Sequence, residues 1–215
     1  MFELRENGLH MASNIQHLEP IQKHYQLLSY LGRINLSFLD RYLITASIRA
    51  DGSRKFAKGN RWGYFPSFSV AWRMSEEEFM EGSRDWLDNL KIRASWGLLG
   101  NQNALNDFYP WLNTYSLDGT YMFGNSIKTG YYQQSYKLNT ISWEKARTWG
   151  IGIDASLFNA IDLSVDYYDR KTTGIIMDVP VPNEFALDAY KDNVGAMVNR
   201  GVEVTLSYHK QWGDW

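Results

Sequence analysis

From Tyr42 onward, apolar side chains fall on every second position. Tyr42, Ile44, Ala46, Ile48 and Ala50 share one parity, and Leu43, Thr45, Ser47, Arg49 and Asp51 share the other. A second run sets Tyr64, Phe68, Val70 and Trp72 against Ser67, Ser69 and Arg73. A period of two puts the two sets on opposite faces of a sheet. Between the runs, Asp51-Gly52-Ser53 and Lys58-Gly59-Asn60 are turn chemistry, so the runs are predicted to form an antiparallel pair. The same alternation returns along the chain. Leu28, Tyr30, Ile34, Leu36 and Phe38 oppose Ser29, Arg33, Asn35 and Ser37; Ile92, Ala94, Trp96 and Leu98 oppose Lys91, Arg93, Ser95 and Gly97. Trp149, Ile151, Ile153, Ala155 and Leu157 lead into a turn at Asn159-Ala160, and Leu163, Val165 and Tyr167 lead out of it against Asp162, Ser164, Asp166 and Tyr168. Val202, Val204, Leu206 and Tyr208 form the last run, giving about seven strands in all.

The connections alternate in length. Those at 39–41, 159–160 and 211–214 are short, and those at 52–61, 100–142 and 174–198 are long. The stretch 75–88 reads as compact, with Ser75 as N-cap and Glu78 at N3 of a capping box that starts a helical turn. Residues 1–23 are polar and irregular, the tail of a loop. Short turns at one end and long loops at the other are the rhythm of an up-and-down barrel. Its apolar parity faces lipid and its polar parity, with Arg33, Arg49, Arg93, Asp154, Asp162 and Asp166, lines the lumen. Trp62, Tyr64, Trp72, Trp143, Tyr167 and Tyr208 lie near strand ends, as interfacial girdles require. The alternative is a soluble carbohydrate-binding β-domain in which the same apolar residues are buried under a second layer.

Composition narrows the choice. The chain has 215 residues, 15% of them aromatic, and a net charge of -2, so there is no electrostatic footprint for nucleic acid. It holds no cysteine and no apolar run long enough for a membrane helix, which says nothing about a barrel. Met1-Phe2-Glu3-Leu4-Arg5-Glu6 lacks the basic and apolar regions of a signal peptide. There is no nucleophile elbow, zinc-protease helix or phosphate loop, and Gly150-x-Gly152 sits inside a strand. His10, His17, His24 and His209 have no ligand spacing, and Asp188, Asp192 and Asn193 fit no calcium loop. The expectation is therefore no enzyme, no cofactor and no metal.

One stretch carries a resemblance. Arg49, Asp51, Gly52, Ser53 and Phe56, followed by Asn60-Arg61-Trp62-Gly63, then Phe65-Pro66-Ser67, Ser69 and Trp72, resemble the barrel region of SusC/RagA-type TonB-linked outer-membrane proteins. That family usually has Ser-Arg-Phe or Ser-Ser-Arg-Phe where this chain reads Ser53-Arg54-Lys55-Phe56. Together with the loop asymmetry, the resemblance tips the reading from a soluble domain to a membrane wall. It implies an all-β fold: a partial antiparallel up-and-down transmembrane β-barrel, an open curved sheet with long loops on one side. Residues 1–215 would then be one piece of a receptor barrel in the Gram-negative outer membrane, roughly a third of the wall, without signal peptide, plug domain or remaining strands. About seven strands cannot close a bacterial barrel, which agrees with a truncated wall. The resemblance further implies uptake of an oligosaccharide or peptide, a SusD-like surface lipoprotein as lid, the TonB complex as energy source through the missing N-terminal part, and outer-membrane lipid around the wall. Within 100–142, Trp111, Tyr115, Tyr121, Tyr131 and Tyr132 lie among Asn101, Gln102, Asn103, Asn113, Gln133 and Gln134. Aromatic faces beside amides suit sugar or peptide, so these five aromatics are the candidate substrate contacts. The same residues would equally serve to fold the loop or to dock the lid.

Overall fold

The computed structural model describes residues 26–103, 105, 109–113, 115–133 and 135–209. One antiparallel sheet of seven strands contains β1 (Leu27–Phe38), β2 (Tyr42–Ser53), β3 (Trp62–Arg73), β4 (Leu87–Asn101), β7 (Glu144–Leu157), β8 (Ile161–Val179) and β9 (Tyr190–Tyr208). A separate hairpin pairs β5 (Tyr115–Phe123) with β6 (Ser126–Gln133). The large sheet runs in chain order and ends on β1 and β9, so it is an open up-and-down meander. The expected loop tail at 1–23, the turn at 211–214 and His10, His17 and His24 lie outside the described residues.

Short connections gather at one end of the sheet. Leu39 and Asp40 both take positive φ, as do Phe158 and Asn159, and each pair is closed by a backbone bond, Arg41 to Phe38 at 3.1 Å and Ala160 to Leu157 at 3.0 Å. Positive φ at both central positions is the turn that matches strand twist, and Asp and Asn tolerate it better than most residues. Neighbouring turns are also stitched sideways: Phe158 N–H donates to Trp86 O at 3.0 Å, and His209 N–H donates to Ala160 O at 2.7 Å.

The register puts every apolar run on one face. Across β4, β7, β8 and β9, Ile92, Ile153, Val165 and Val204 form one cross-strand row, and Ala94, Ile151, Tyr167 and Val202 form the next. Among the described residues no second layer covers them: Ile151 is 50% and Ile153 45% exposed, Val202, Val204 and Leu206 are exposed, and Leu163 and Val165 are half-buried. Aromatic pairs mark both margins of this band. Tyr42 stacks on Trp72 with centroids 6.4 Å apart near the turn end, while Tyr30 stacks on Trp62 at 6.0 Å near the loop end. Beyond Tyr167, level with Trp149, the outer face turns polar with the ion pair of Asp169 and Arg200. A single-layer sheet with a bare apolar belt, aromatic margins and polar outer rows is the surface a transmembrane wall presents to lipid.

Four expectations are corrected. The capping box does not form: Met74–Glu76 and Glu78–Ser83 are 3-10 turns, no side chain caps either, and the Ser75 hydroxyl is buried without a partner. The stretch at 100–142 is not only loop, because it contains the β5–β6 hairpin. The loop expected at 174–198 shrinks to 180–189, because β8 and β9 continue pairing to Val179↔Tyr190 past a bulge at Gly174. Trp143 belongs to no girdle; it is 5% exposed in an interior cluster described below.

The acid that matters in the 3-10 segment is Glu77. It accepts from Trp72 Nε1 at 3.0 Å, Tyr42 Oη at 2.8 Å and Arg41 Nη1 at 3.1 Å. It thus ties the turn to the aromatic margin of β2 and β3. The indole and phenol donors, with the nearby guanidinium, hold its carboxyl below the usual glutamate value of 4.5. A carboxyl lowered in the folded state stabilises above its unfolded value, and that contribution is lost as pH falls through the folded value. Glu77→Gln in the intact protein should therefore lower the urea midpoint at neutral pH. The gap to the wild type should close as pH drops below the ordinary carboxylate range. Urea titrations of both proteins across that range check it, and a gap that persists in acid would exclude the charge as its cause.

Candidate functional site

The long connections converge at the other end of the sheet, around its one buried apolar cluster among the described residues. Phe56, Phe65, Leu105, Ile141 and Trp143 form it, with Leu98, Leu138 and Ile176 packed against them. Phe56 is 0% and Phe65 4% exposed. The Trp143 ring lies 5.1 Å from Phe56 and meets Phe65 edge-on at 5.4 Å. Strand divergence makes room for the cluster. Pairing of β3 with β4 runs from Arg73↔Lys91 only to Ser67↔Gly97, although both strands continue beyond. Pro66, which has no N–H to give to a ladder, stands where the strands part. Above it the Phe65 ring fills the space that side chains at Gly63 and Gly100 would need.

Polar bonds lock the loops onto this cluster. Trp143 Nε1 donates to Arg61 O at 3.0 Å, Asn60 Nδ2 to Asn139 O at 3.1 Å, and Lys55 Nζ to Leu105 O at 3.0 Å. Buried Glu144 accepts from Asn101 Nδ2 at 2.7 Å and from Ile176 N–H at 2.9 Å. Asn193 accepts from Ser142 N–H at 2.8 Å and donates back to Ser142 O at 3.0 Å and to Gly174 O at 2.6 Å. Its amide thus fastens the bulged ends of β8 and β9. Sequence reasoning gave Glu144 no role and weighed Asn193 only as an ion ligand, because the bonding partners are backbone groups distant in sequence.

The motif that carried the resemblance is accounted for by this architecture. Arg49 Nε bonds Asp51 at 2.7 Å, and its guanidinium lies 5.7 Å from the centre of the Phe65 ring. Gly52 lies beneath the Trp62 ring, where a Cβ would meet Cζ2 at 3.0 Å. Buried Ser53 accepts from Lys55 N–H at 3.1 Å. Ser67 shares a hydrogen bond with Ser47 at 2.7 Å, and Trp72 holds Glu77. With Phe56, Gly63, Phe65 and Pro66 in or beside the cluster, the motif builds the loop-end core and the margins of the belt.

The five aromatic candidates do not converge. Tyr121 and Tyr132 lie on one face of the β5–β6 hairpin, each ring over a glycine of the facing strand, Gly130 and Gly119 respectively. Tyr115 and Tyr131 fall on the other face by register. Trp111 lies in the segment before the hairpin, edge-on to Tyr109 at 6.3 Å. The hairpin tip is apolar and open, with Met122, Phe123 and Ile127 all exposed.

On the polar face of the sheet, charges pair across strands. Arg93 of β4 reaches over β7, bonding Asp154 at 3.1 Å and Asp166 of β8 at 2.6 Å, while Lys91 adds a second cation to Asp154 at 2.9 Å. Gly152 makes the crossing possible, since a Cβ there would stand 2.8 Å from Arg93 Cζ. Asn199, Arg170 and Glu203 help line the same concavity, of about 730 Å³. Among the described residues, no group of three or more His, Cys, Asp or Glu is placed to hold a metal ion.

Comparison with known proteins agrees with this picture. The family model described as "TonB dependent receptor-like, beta-barrel" matches residues 22–215. The chain is 37% identical to the TonB-dependent receptor SusC of Bacteroides thetaiotaomicron over 186 residues, 84% of this chain and 18% of that protein. It is 32% identical to the TonB-dependent receptor P26 of Formosa agariphila, covering 85% of this chain and 18% of that one. Among solved structures it superposes on the RagAB peptide importer in its closed-closed state with a TM-score of 0.75 and 28% identity, over 89% of this chain and 20% of the other. A siderophore receptor, PirA of Pseudomonas aeruginosa, shares the fold at a TM-score of 0.54 and 12% identity. The chain therefore spans about a fifth of the length of the relatives it matches. With a belted single-layer meander and a family match from residue 22 to residue 215, this chain belongs to the TonB-dependent receptor β-barrel family and is a SusC/RagA-like part of such a barrel.

Proposed function

We propose that the protein containing this chain imports a nutrient oligosaccharide or peptide across the Gram-negative outer membrane, with this chain as wall and outer loops. The observation that carries the reading is the uncovered apolar face between two aromatic margins, in a sheet matched by the receptor family. Further strands continue the wall from the free edges of β1 and β9, and a plug from the rest of the protein fills the lumen against the polar face. The TonB complex energises uptake through that plug. A SusD-like surface lipoprotein closes over the loop end, and the apolar hairpin tip at Met122, Phe123 and Ile127 suits such a contact. Trp111, Tyr115, Tyr121, Tyr131 and Tyr132 are divided between that contact and the ligand.

The test is uptake in cells carrying the intact gene and in cells lacking it, with labelled oligosaccharides and peptides, before and after collapse of the proton gradient. Uptake that needs both the gene and the gradient supports the reading. A product recovered in the soluble fraction, with uptake unchanged by deletion, overturns it and favours the soluble sugar-binding domain.

A further inference from the structure

Two arginines flank the β2–β3 connection at the loop end: Arg54 follows β2, and Arg61 precedes β3. With Tyr109, Trp111 and Leu112 from the next long connection, they line a cleft of about 360 Å³. That volume is at the small end of ligand sites and suits one or two sugar rings. Neither guanidinium is ion-paired to a carboxylate among the described residues. Arg61 spends only its Nε, on Phe56 O at 3.3 Å. Among the described residues the arginines at 41, 49, 93 and 200 each hold an acid and the others do not; what sets Arg54 and Arg61 apart is that both line one small cleft together with aromatic rings. The aromatic side of the cleft is a right-angled corner, Tyr109 against Trp111 at 84°. Among the described residues the buried Trp111 indole N–H finds no acceptor, so no hydrogen bond to them accounts for the ring's position.

Resting on the import reading above, we propose that this cleft is a subsite for an acidic sugar unit, a uronic acid residue of an oligosaccharide. A guanidinium fork matches a carboxylate with two parallel bonds, and the flat face of an aromatic ring takes the C–H face of a pyranose. Both kinds of group meet here, in a space of monosaccharide size. A peptide carboxylate would use the arginines equally well, but to fill the aromatic corner as well a peptide needs a ring-bearing side chain beside that carboxylate, whereas a uronic acid carries carboxylate and C–H face on one ring.

The experiment uses the full-length receptor, purified with any lipoprotein that accompanies it. Oligogalacturonate and the neutral galactose oligomer of equal length serve as probes in calorimetry. Wild type should bind the acidic probe at least tenfold more tightly. Arg54→Gln, whose side chain makes no bond to the described residues, should remove most of that preference, lowering acidic-probe affinity far more than neutral-probe affinity. Trp111→Ala should weaken both probes. Arg61→Gln should resemble Arg54→Gln, provided thermal unfolding shows the loop-end cluster intact. The proposal fails if wild type shows no acidic preference, if Arg54→Gln leaves the preference in place, or if only peptides with free C-terminal carboxylates compete. Import of a neutral glycan by cells whose receptor ignores the acidic probe would overturn the subsite alone. Absence of gene-dependent uptake of any glycan or peptide would overturn the import reading itself.

Discussion

Phe56→Ala is expected to destabilise the full-length receptor by about 3–5 kcal/mol, the usual cost of removing a buried phenylalanine without refilling its space. Phe56 is fully buried, and its ring is held between Trp143 and the loop residues Leu105 and Ile141. Nothing in the rest of the sheet can compensate, because the apolar belt faces outward and the polar face carries charges. The loop-end cluster is thus the one group of buried apolar side chains packed on one another among the described residues, Leu87 at the turn end being buried outside it. The loss should be local as well as global: loops at 54–61 and 138–143, tied by Asn60 and Trp143, should become sensitive to protease at neutral pH. Phe79→Ala is the control, since Phe79 is exposed in the 3-10 segment at the opposite end. Denaturant unfolding followed by tryptophan fluorescence, with limited proteolysis beside it, measures both effects. A loss below about 1 kcal/mol, equal to the control, would mean that the cluster is not what holds the loops.

Much of this architecture could be read from alternation. The β7–β8 hairpin was legible because Ile151, Ile153, Leu163 and Val165 share a parity and Asn159 marks the turn. The upper halves of β8 and β9 were not, because Gly174 and Gly195 break the period and because beyond Asp169 both faces carry polar residues. There pairing is sustained by backbone bonds and by Asn193 and Glu144, which leave no trace in a hydropathy pattern. The β5–β6 hairpin escaped for a related reason. Both of its faces are wet, so apolar and polar residues have no cause to segregate. Phe65 has the parity of the polar face, which makes sense only once the parting of β3 from β4 is known. Of the candidate contacts, the sequence supplied the residue types but not the grouping; Trp111 became informative through Arg54 and Arg61, which no periodicity connects to it.

Each end of the sheet is secured by different physics. At the turn end, backbone bonds between neighbouring turns and the Glu77 node hold short connections without burying much apolar surface. At the loop end a packed cluster does so, and it stands between the lipid-facing belt and the outermost loops. Substitutions in the hairpin tip are thereby separated from the wall, so contact surfaces there can vary without unpicking strand register.

Ile153→Arg is the sharpest test of which solvent the apolar face meets. Ile153 sits in the middle of the belt, paired with Ile92 on β4 and Val165 on β8, and is 45% exposed. In water, a half-exposed isoleucine on an uncovered sheet face would accept arginine within about 0.5 kcal/mol. In lipid, arginine at the middle of a barrel wall costs about 2–4 kcal/mol, because its charge must be drawn to the interface or hydrated by a defect. The matching control is Ser95→Arg, which places the same side chain on the exposed polar face. Ile153→Leu controls for loss of the β-branched shape. In the intact receptor, Ile153→Arg should reduce the fraction assembled in the outer membrane and shift unfolding in lipid vesicles by that amount, while both controls stay near wild type. If Ile153→Arg were as silent as Ser95→Arg, the belt would not be facing acyl chains, and the soluble sheet would become the better account of this chain.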